Sequence, residues 1–204
     1  MANKNLKRNQ SFFNSWSNTY DFSLFQFWMK RFHNAAIKEI DFNKKAKILD
    51  ISCGTGKLLS SLWQKSNKNS YFGVDISDGM LKKAKDKLPK RIKLRIMDVH
   101  NLSFPDNYFD YVISTEAFHH YHDQPKALAE MKRVVKEGGK VIVVDVNFFL
   151  YPVHYLFEKL EPGCRKINSR KEMHLLFRKA GFNKIIQQRN FWFSVMTRGI
   201  KEEK

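Results

Sequence analysis

Between residues 45 and 146 the chain repeats one pattern: a short apolar or β-branched run, a turn, and a stretch with apolar residues at helical spacing. The runs are KAKILDI (45–51), SYFGVDI (70–76), KLRIMDV (93–99), FDYVIST (109–115) and KVIVVDV (140–146). Between them, Leu58, Leu59, Leu62 and Trp63 mark one helix face. Met80, Leu81, Ala84 and Leu88 mark a second helix, which Pro89 ends. Ala127, Leu128, Met131, Val134 and Val135 mark a third, closed by Gly138 and Gly139. The fifth run is apolar without interruption, as suits a strand buried on both faces. Alternation of this kind predicts an α/β fold with a mostly parallel sheet and helices on both faces. After a helix from about Lys171 to Ala180, FNKIIQQRNFWFSVMTRGI reads as two strands parted at Asn190. That predicts a closing antiparallel hairpin and seven strands in all.

No repeat, low-complexity tract or Pro/Gly-rich linker divides the 204 residues, so one domain spans 1–204. Its expected parts are an N-terminal helical lid over 1–44 and a core over 45–204 with a short aromatic insertion near 147–168. Two cysteines, Cys53 and Cys164, make no disulfide framework and no zinc spacing. A reducing cytoplasm is the expected compartment. No run approaches the ~20 apolar residues needed to span a bilayer, and no apolar stretch follows the basic N-terminus as a signal peptide requires.

In an open parallel sheet, ligands sit beyond the carboxyl ends of the strands. Asp50, Asp75 and Asp98 occupy three such ends in succession, in a chain with 37 basic and 20 acidic residues and a net charge of +17. The first turn, DISCGTGKLL, narrows the ligand. Gly54 and Gly56 permit a tight strand-to-helix turn and close approach to the backbone. A Walker loop would need Gly at 51 and Ser or Thr at 58, where Ile51 and Leu58 stand; a dinucleotide fingerprint would need Gly at 59, where Leu59 stands. The acids would also repel phosphate. The edge suits a ligand with a positive centre, ribose hydroxyls and an adenine amine. Asp75 can accept from two hydroxyls, Asp98 from an exocyclic amine, and the Val99 N–H can donate to a ring nitrogen. Asp50 can hold an ammonium near the turn. Taken singly, a strand-end Asp is often only a helix N-cap, Cys53 reads as a small buried wall residue, and Met80 and Leu81 read as core.

These residues, with GVDIS…ML, MDVHNLSFPDNYFDYVIST, FHHYHDQPKALAEMKRVVKEGGKVIVVD and LFRKAGF, resemble the class I S-adenosylmethionine-dependent methyltransferases. The likeness runs from about Asn14 to Ile200, and falls in the small-molecule branch that includes the ubiquinone/menaquinone C-methyltransferases. It implies a Rossmann-like seven-stranded sheet and S-adenosylmethionine as cofactor. By that resemblance Asp50, Gly54 and Gly56 frame the methionine moiety, Asp75 binds ribose, and Ile76 packs on adenine. Asp98 and Val99 read the adenine edge, and Ser114 presents its carbonyl to the amino group. Tyr20 matches a lid tyrosine near the cofactor carboxylate. Ser52 departs from the family, which most often has Gly there.

Methyl transfer from a sulfonium needs alignment and a dry pocket, and a base only for a protonated acceptor. The candidates after the fourth strand are Glu116, His119, His120, Tyr121 and His122; relatives commonly show a His pair here whose catalytic use varies, so His119 and His120 are the catalytic candidates. No metal is expected at HHYH, since adjacent side chains splay apart and no carboxylate stands at matching helical spacing. STEAF replaces the NPPY-type tetrapeptide of methyltransferases acting on nucleic-acid amines. Ten aromatics in residues 1–47 and five in 146–157 fit either a bulky apolar acceptor or a lid with its own core. The leading expectation is thus a small apolar or aromatic acceptor. An RNA- or protein-directed enzyme, or a non-catalytic binding module on the same fold, stands as the alternative. The positive charge gathers at both ends of the chain and in Lys82 to Arg95, which holds eight basic residues against one acid. That leaves peripheral contact with an anionic membrane or RNA open and gives no sign of oligomeric state.

Overall fold

The five runs form strands at the expected places: β1 (Lys47–Ile51), β2 (Ser70–Asp75), β3 (Lys93–Ile96), β4 (Phe109–Thr115) and β5 (Val135–Val146). The C-terminal hairpin is β6 (Phe182–Phe191) and β7 (Ser194–Lys201). The helices are α1 (Ser23–Ile37), α2 (Lys57–Lys65), α3 (Asp78–Lys87), α4 (Gln124–Val134), α5 (Tyr151–Leu160) and α6 (Arg170–Lys179). A single 3-10 turn covers Phe118–His120. The computed structural model describes residue 14 and residues 23–148, 150–161 and 163–202. Tyr20 and about half of the expected lid, 1–44, lie outside the described residues; α1 belongs to its described part.

The strands form one seven-stranded sheet in the order β3-β2-β1-β4-β5-β7-β6. β1 pairs in parallel with both β2 and β4, so the chain reverses its direction of travel across the sheet there. Crevices for ligands open at such points. β7 inserts antiparallel between β5 and β6. Alternate residues feed two cores, one on each face. Ile48, Tyr71, Ile113 and Ile142 pack under Phe32 of α1, Leu59 and Leu62 of α2 and Ala84 of α3. Leu49, Phe72, Val112 and Val141 pack under Leu128 and Met131 of α4 and Phe177 of α6.

Local sequence explains the helix ends. The Ser77 hydroxyl accepts from the Met80 N–H and starts α3. Asp123 accepts from the Lys126 N–H ahead of α4, and Ser169 and Glu172 form a capping box at α6. Two expected boundaries move. α4 stops at Val134, and Val135 already belongs to β5, with Gly138 and Gly139 inside a bulge between the Phe109↔Val135 and Tyr111↔Lys140 pairs. Gly138 has φ +71°, which a helix C-cap and a β-bulge both require, so the glycine pair does not tell them apart. The hairpin turns at Trp192–Phe193, two residues beyond Asn190.

The NLSFPDN segment after β3 is held chiefly by Arg133 and Glu130 of α4. The Arg133 guanidinium donates to the carbonyls of Phe104 (2.8 Å) and Leu102 (2.7 Å) and to Asp106 (2.7 Å). Glu130 accepts from the Leu102 N–H at 2.8 Å. This clamp fixes the loop that leads away from Asp98.

Candidate functional site

Beyond the carboxyl ends of β1, β2 and β4 lies a cavity lined by Asp50, Asp75, Ile76, Asp98, Val99 and, from the turn, Ser52 to Thr55, Lys57 and Leu58; Gly56 stands outside the lining, against Leu88 and Ala84. Thr115, Glu116, His120, Tyr121 and His122 line its other end, and Met29 and His33 of α1 also reach it. The structure therefore brings together the residues singled out in the strand-end turns. Ser114 is fully buried and lies one residue short of the lining.

Asp75 is pinned at the base of the turn. One carboxylate oxygen accepts from the Gly54 N–H and the other from the Ser77 N–H, both at 2.8 Å. Each oxygen keeps a lone pair for a further donor. Burial raises its pKa in spite of those donors. Asp50 is 1% exposed, and neither of its oxygens has a hydrogen-bond partner. Burial, then the charge on Asp75, lifts its pKa well above the carboxylate range. A buried carboxyl without a donor calls for one from a ligand.

The turn itself is left-handed at three points, Ser52 (φ +58°), Gly54 (φ +52°) and Gly56 (φ +80°). No heavy atom lies within 4 Å of where a Gly54 Cβ would stand. Gly56 caps α2 without a side-chain bond, so the helix presents its first N–H groups at the turn. Ser52 adopts its conformation without glycine's freedom and hydrogen-bonds to the Tyr121 hydroxyl (3.0 Å), which also bonds the Ser114 hydroxyl (2.9 Å). Burial pushes the Tyr121 phenol up, so it is a neutral bridge between β1 and β4.

At the adenine side, the Asp123 N–H donates to His100 Nε2 (3.3 Å), which places the ring proton on Nδ1 facing Asp98 (2.6 Å). Burial alone would raise Asp98, but the His100 ring and backbone N–H together hold it below its ordinary value. Ionised Asp98 thus retains an oxygen for an exocyclic amine, and Val99 follows it with its side chain buried.

The opposite end differs from the sequence expectation. His119 is fully buried and absent from the lining among the described residues. Its Nδ1 meets Asp145 at 2.6 Å and its Nε2 meets Glu161 at 3.4 Å. Burial works against its charge, but the two carboxylates prevail and raise its pKa to about 10. His120 lines the cavity; burial and the charge on His119 push it well below the usual imidazole value. Donor atoms of His119, His120 and Glu161 lie within 4.8 Å of one another. Glu161 is 42 residues from His119 in sequence, so no local spacing announced the grouping. Glu116, at the end of β4, has φ +52° and one carboxylate oxygen with no partner. Burial, despite relief from His119, raises its pKa to about 8.

Of the fifteen aromatics, Phe12, Phe13, Trp16, Tyr20, Phe22 and Phe149 lie outside the described residues, and those whose packing is described mostly join the core. Phe32 is fully buried, and Phe42, Phe148 and Phe157 pack on the same cluster. Among the described residues Tyr121 is the one Phe, Tyr or Trp lining the cavity.

This order of strands with three acids and a glycine turn at one edge defines a nucleoside-binding α/β enzyme. A family model described as a methyltransferase domain matches residues 49–143. The chain is 35% identical over 181 residues to a demethylmenaquinone methyltransferase of Desulfitobacterium hafniense, covering 78% of this chain and 68% of that protein. It is 29% identical to one from Geobacillus, covering 72% of this chain and 74% of that protein. It is 33% identical to a ubiquinone/menaquinone biosynthesis C-methyltransferase of Cupriavidus taiwanensis, with 55% of this chain matched and only 48% of that protein spanned, about half its length. Among solved structures, the methyltransferase complexed with the Haloferax volcanii Trm112 activator superposes with a TM-score of 0.80 at 19% identity, over 94% and 98% of the two chains. A Haemonchus contortus phosphoethanolamine N-methyltransferase bound to S-adenosylmethionine gives 0.72 at 19% identity, over 84% and 52%. The chain belongs to the class I S-adenosylmethionine-dependent methyltransferases, in their quinone-methyltransferase-like branch. Its cofactor is S-adenosylmethionine, and the orphaned carboxyl of Asp50 beside an open glycine turn fits the charged amino end of that molecule.

Proposed function

We propose that the chain methylates a small apolar or aromatic acceptor of the quinol class. Its curated relatives are named for quinone substrates, and the cavity that receives the cofactor ends in a buried, titratable wall rather than an open basic groove. The observation that carries the reading is the partnerless pair of oxygens on Asp50 next to Asp75.

Bound S-adenosylmethionine supplies a methyl group already activated on a sulfonium. The chain's own residues position it and handle the acceptor's proton. Asp75 takes the ribose hydroxyls, Ile76 packs on adenine, and Asp98 and the Val99 N–H read the adenine edge. Asp50 holds the ammonium, directly or through water, while the α2 N-terminus after Gly54 and Gly56 faces the carboxylate. The Ser114 hydroxyl is held by Tyr121, so its carbonyl is what it has to offer, and Ser52 ties the turn to that same bridge. At the acceptor end, Glu116 is better matched than His120 to take a phenolic proton, because its basicity lies nearer that of a phenol. His120 faces the acceptor as a neutral ring. His119, bound on both nitrogens by Asp145 and Glu161, is a positioning residue for it.

Calorimetry with S-adenosylmethionine and its demethylated product tests the cofactor half. Asp75→Ala removes an ionic acceptor for two hydroxyls and is expected to weaken binding about 100-fold, at roughly 1.5 kcal/mol for each charged hydrogen bond. Unchanged affinity would overturn the assignment. A labelled-methyl screen over quinols, phenols and RNA tests the acceptor half, and label in RNA alone would replace the quinol reading with the nucleic-acid one.

A further inference from the structure

Helix α5 is apolar on the side that faces away from the protein. Leu150, Val153, Leu156 and Leu160 follow one another at three- and four-residue steps and are all exposed, Leu160 to 70%. Trp192, at the turn of the β6–β7 hairpin, is 72% exposed. The two features are continuous: Trp192 touches Phe193, Phe193 touches Phe148, and Phe148 leads into α5. The inner face of the helix is separately satisfied. His154 bonds the Phe148 carbonyl at 2.7 Å, and Phe157 packs on Phe148.

The charges are sorted in the same sense. α5 contains two positions with acids in or beside it, and both turn inward: Glu158 accepts from the Ile167 N–H at 2.6 Å, and Glu161 faces His119 and His120. The charge left on the outer side is Lys159, whose ammonium lies 4.3 Å from the Tyr155 ring centre. At the hairpin end stands Arg189, whose guanidinium donates to the Trp192 carbonyl at 3.0 Å and to the Asn147 carbonyl at 2.9 Å. An exposed apolar ridge with inward acids and a basic rim, in a chain of net charge +17, complements a surface that is apolar beneath and negative at its face.

We propose that α5 and the Trp192 turn form a docking surface for an anionic lipid bilayer, with the helix lying in the plane of the headgroups. No described helix is long and apolar enough to cross a membrane, so the contact is peripheral. Leu150, Val153, Leu156, Leu160 and Trp192 enter the acyl boundary; Lys159 meets lipid phosphates, and the positive charge of the chain draws this face to an anionic surface. The far end of α5 reaches the cavity wall through Glu161 and His120, which sets the lipid contact beside the acceptor end of the site. The proposal goes beyond the choice of acceptor, and its test requires no methyl transfer.

The full chain is sedimented with phosphatidylcholine vesicles with and without phosphatidylglycerol, in low and high salt. The expected result is pelleting with the anionic vesicles, weakened by salt and reduced roughly tenfold or more in the double variant Leu156→Glu, Trp192→Glu, because two large apolar side chains leave the bilayer. Calorimetry with S-adenosylmethionine on that variant confirms an intact fold, since both substitutions are at exposed positions. A wild-type chain that stays in the supernatant with anionic vesicles overturns the proposal. So does equal pelleting of wild type and variant. A lipid-free dimer that the double variant abolishes also overturns it, by assigning the face to a second copy of the chain.

Discussion

Ser52 offers a quantitative test of how the cofactor turn is built. Its φ of +58° is left-handed, a region that costs an L-residue about 1–2 kcal/mol. Its hydroxyl is 3.0 Å from that of Tyr121, a bond worth about 1 kcal/mol. Ser52→Ala keeps the strained backbone and loses the bond, so it should destabilise by about 1 kcal/mol. Ser52→Gly loses the same bond but relieves the strain, less about 0.5–1 kcal/mol for the greater freedom of glycine in the unfolded chain. Glycine should therefore exceed alanine by about 0.5–1 kcal/mol and lie near the parent. In a chain this long, 1 kcal/mol moves the melting temperature by about 2–4 °C, so alanine melts lower than glycine by roughly 1–4 °C. Circular-dichroism melts of the three cofactor-free proteins read this directly. If alanine equals or exceeds glycine, the turn is not strained at Ser52 and the serine is not a tolerated substitute for glycine.

Four further outcomes follow from the same geometry. Gly54→Ala (φ +52°) places a methyl group in open space at the cavity, so cofactor affinity should fall, beyond the about 1–2 kcal/mol of stability that the left-handed backbone costs alanine. Gly56→Ala (φ +80°) drives its Cβ to 2.5 Å from Leu88 Cδ1 and 3.3 Å from Ala84 Cβ and should mainly lower the melting temperature. Glu116 has a folded pKa raised from 4.5 to about 8, so the folded chain holds that proton more tightly; stability contributed by the protonated form is full below 4.5 and is lost as pH rises through about 8. Urea midpoints at pH 6 and pH 9 should differ less in Glu116→Gln than in the parent, and an unchanged difference would refute the buried-carboxyl assignment. His119, raised from 6.5 to about 10, contributes stability that is full below 6.5 and lost as pH rises through about 10. His119→Asn removes one partner of a buried pair and should cost about 3–5 kcal/mol near neutral pH, measured by the same denaturation.

The strand ends, the parallel core and the cofactor turn were legible because each is written in local sequence. Short continuous apolar runs, a glycine turn and an acid per strand end fix which edge of the sheet binds. The acceptor end was not legible, because its geometry depends on distant pairs. His119 looked like a base beside its neighbour His120, but Asp145 and Glu161, 26 and 42 residues away, engage both nitrogens of its ring. The aromatic segments read equally well as pocket or core; Phe32, Phe148 and Phe157 pack with β-strand residues in the core, while most of the N-terminal aromatics lie outside the described residues. Gly138 and Gly139 satisfied a helix-cap pattern while serving a bulge, since both need the same backbone angle.

The position of β7 governs the order in which this sheet can be completed during synthesis. Strands β1 to β5 each find a partner among segments already made, but β6 pairs only with β7, which also covers the outer edge of β5. Until residues 194–201 leave the ribosome, two rows of backbone donors and acceptors have no mate, and one belongs to the most apolar strand of the chain. Nascent chains halted a few residues before Ser194 should be the ones that recruit chaperones or aggregate.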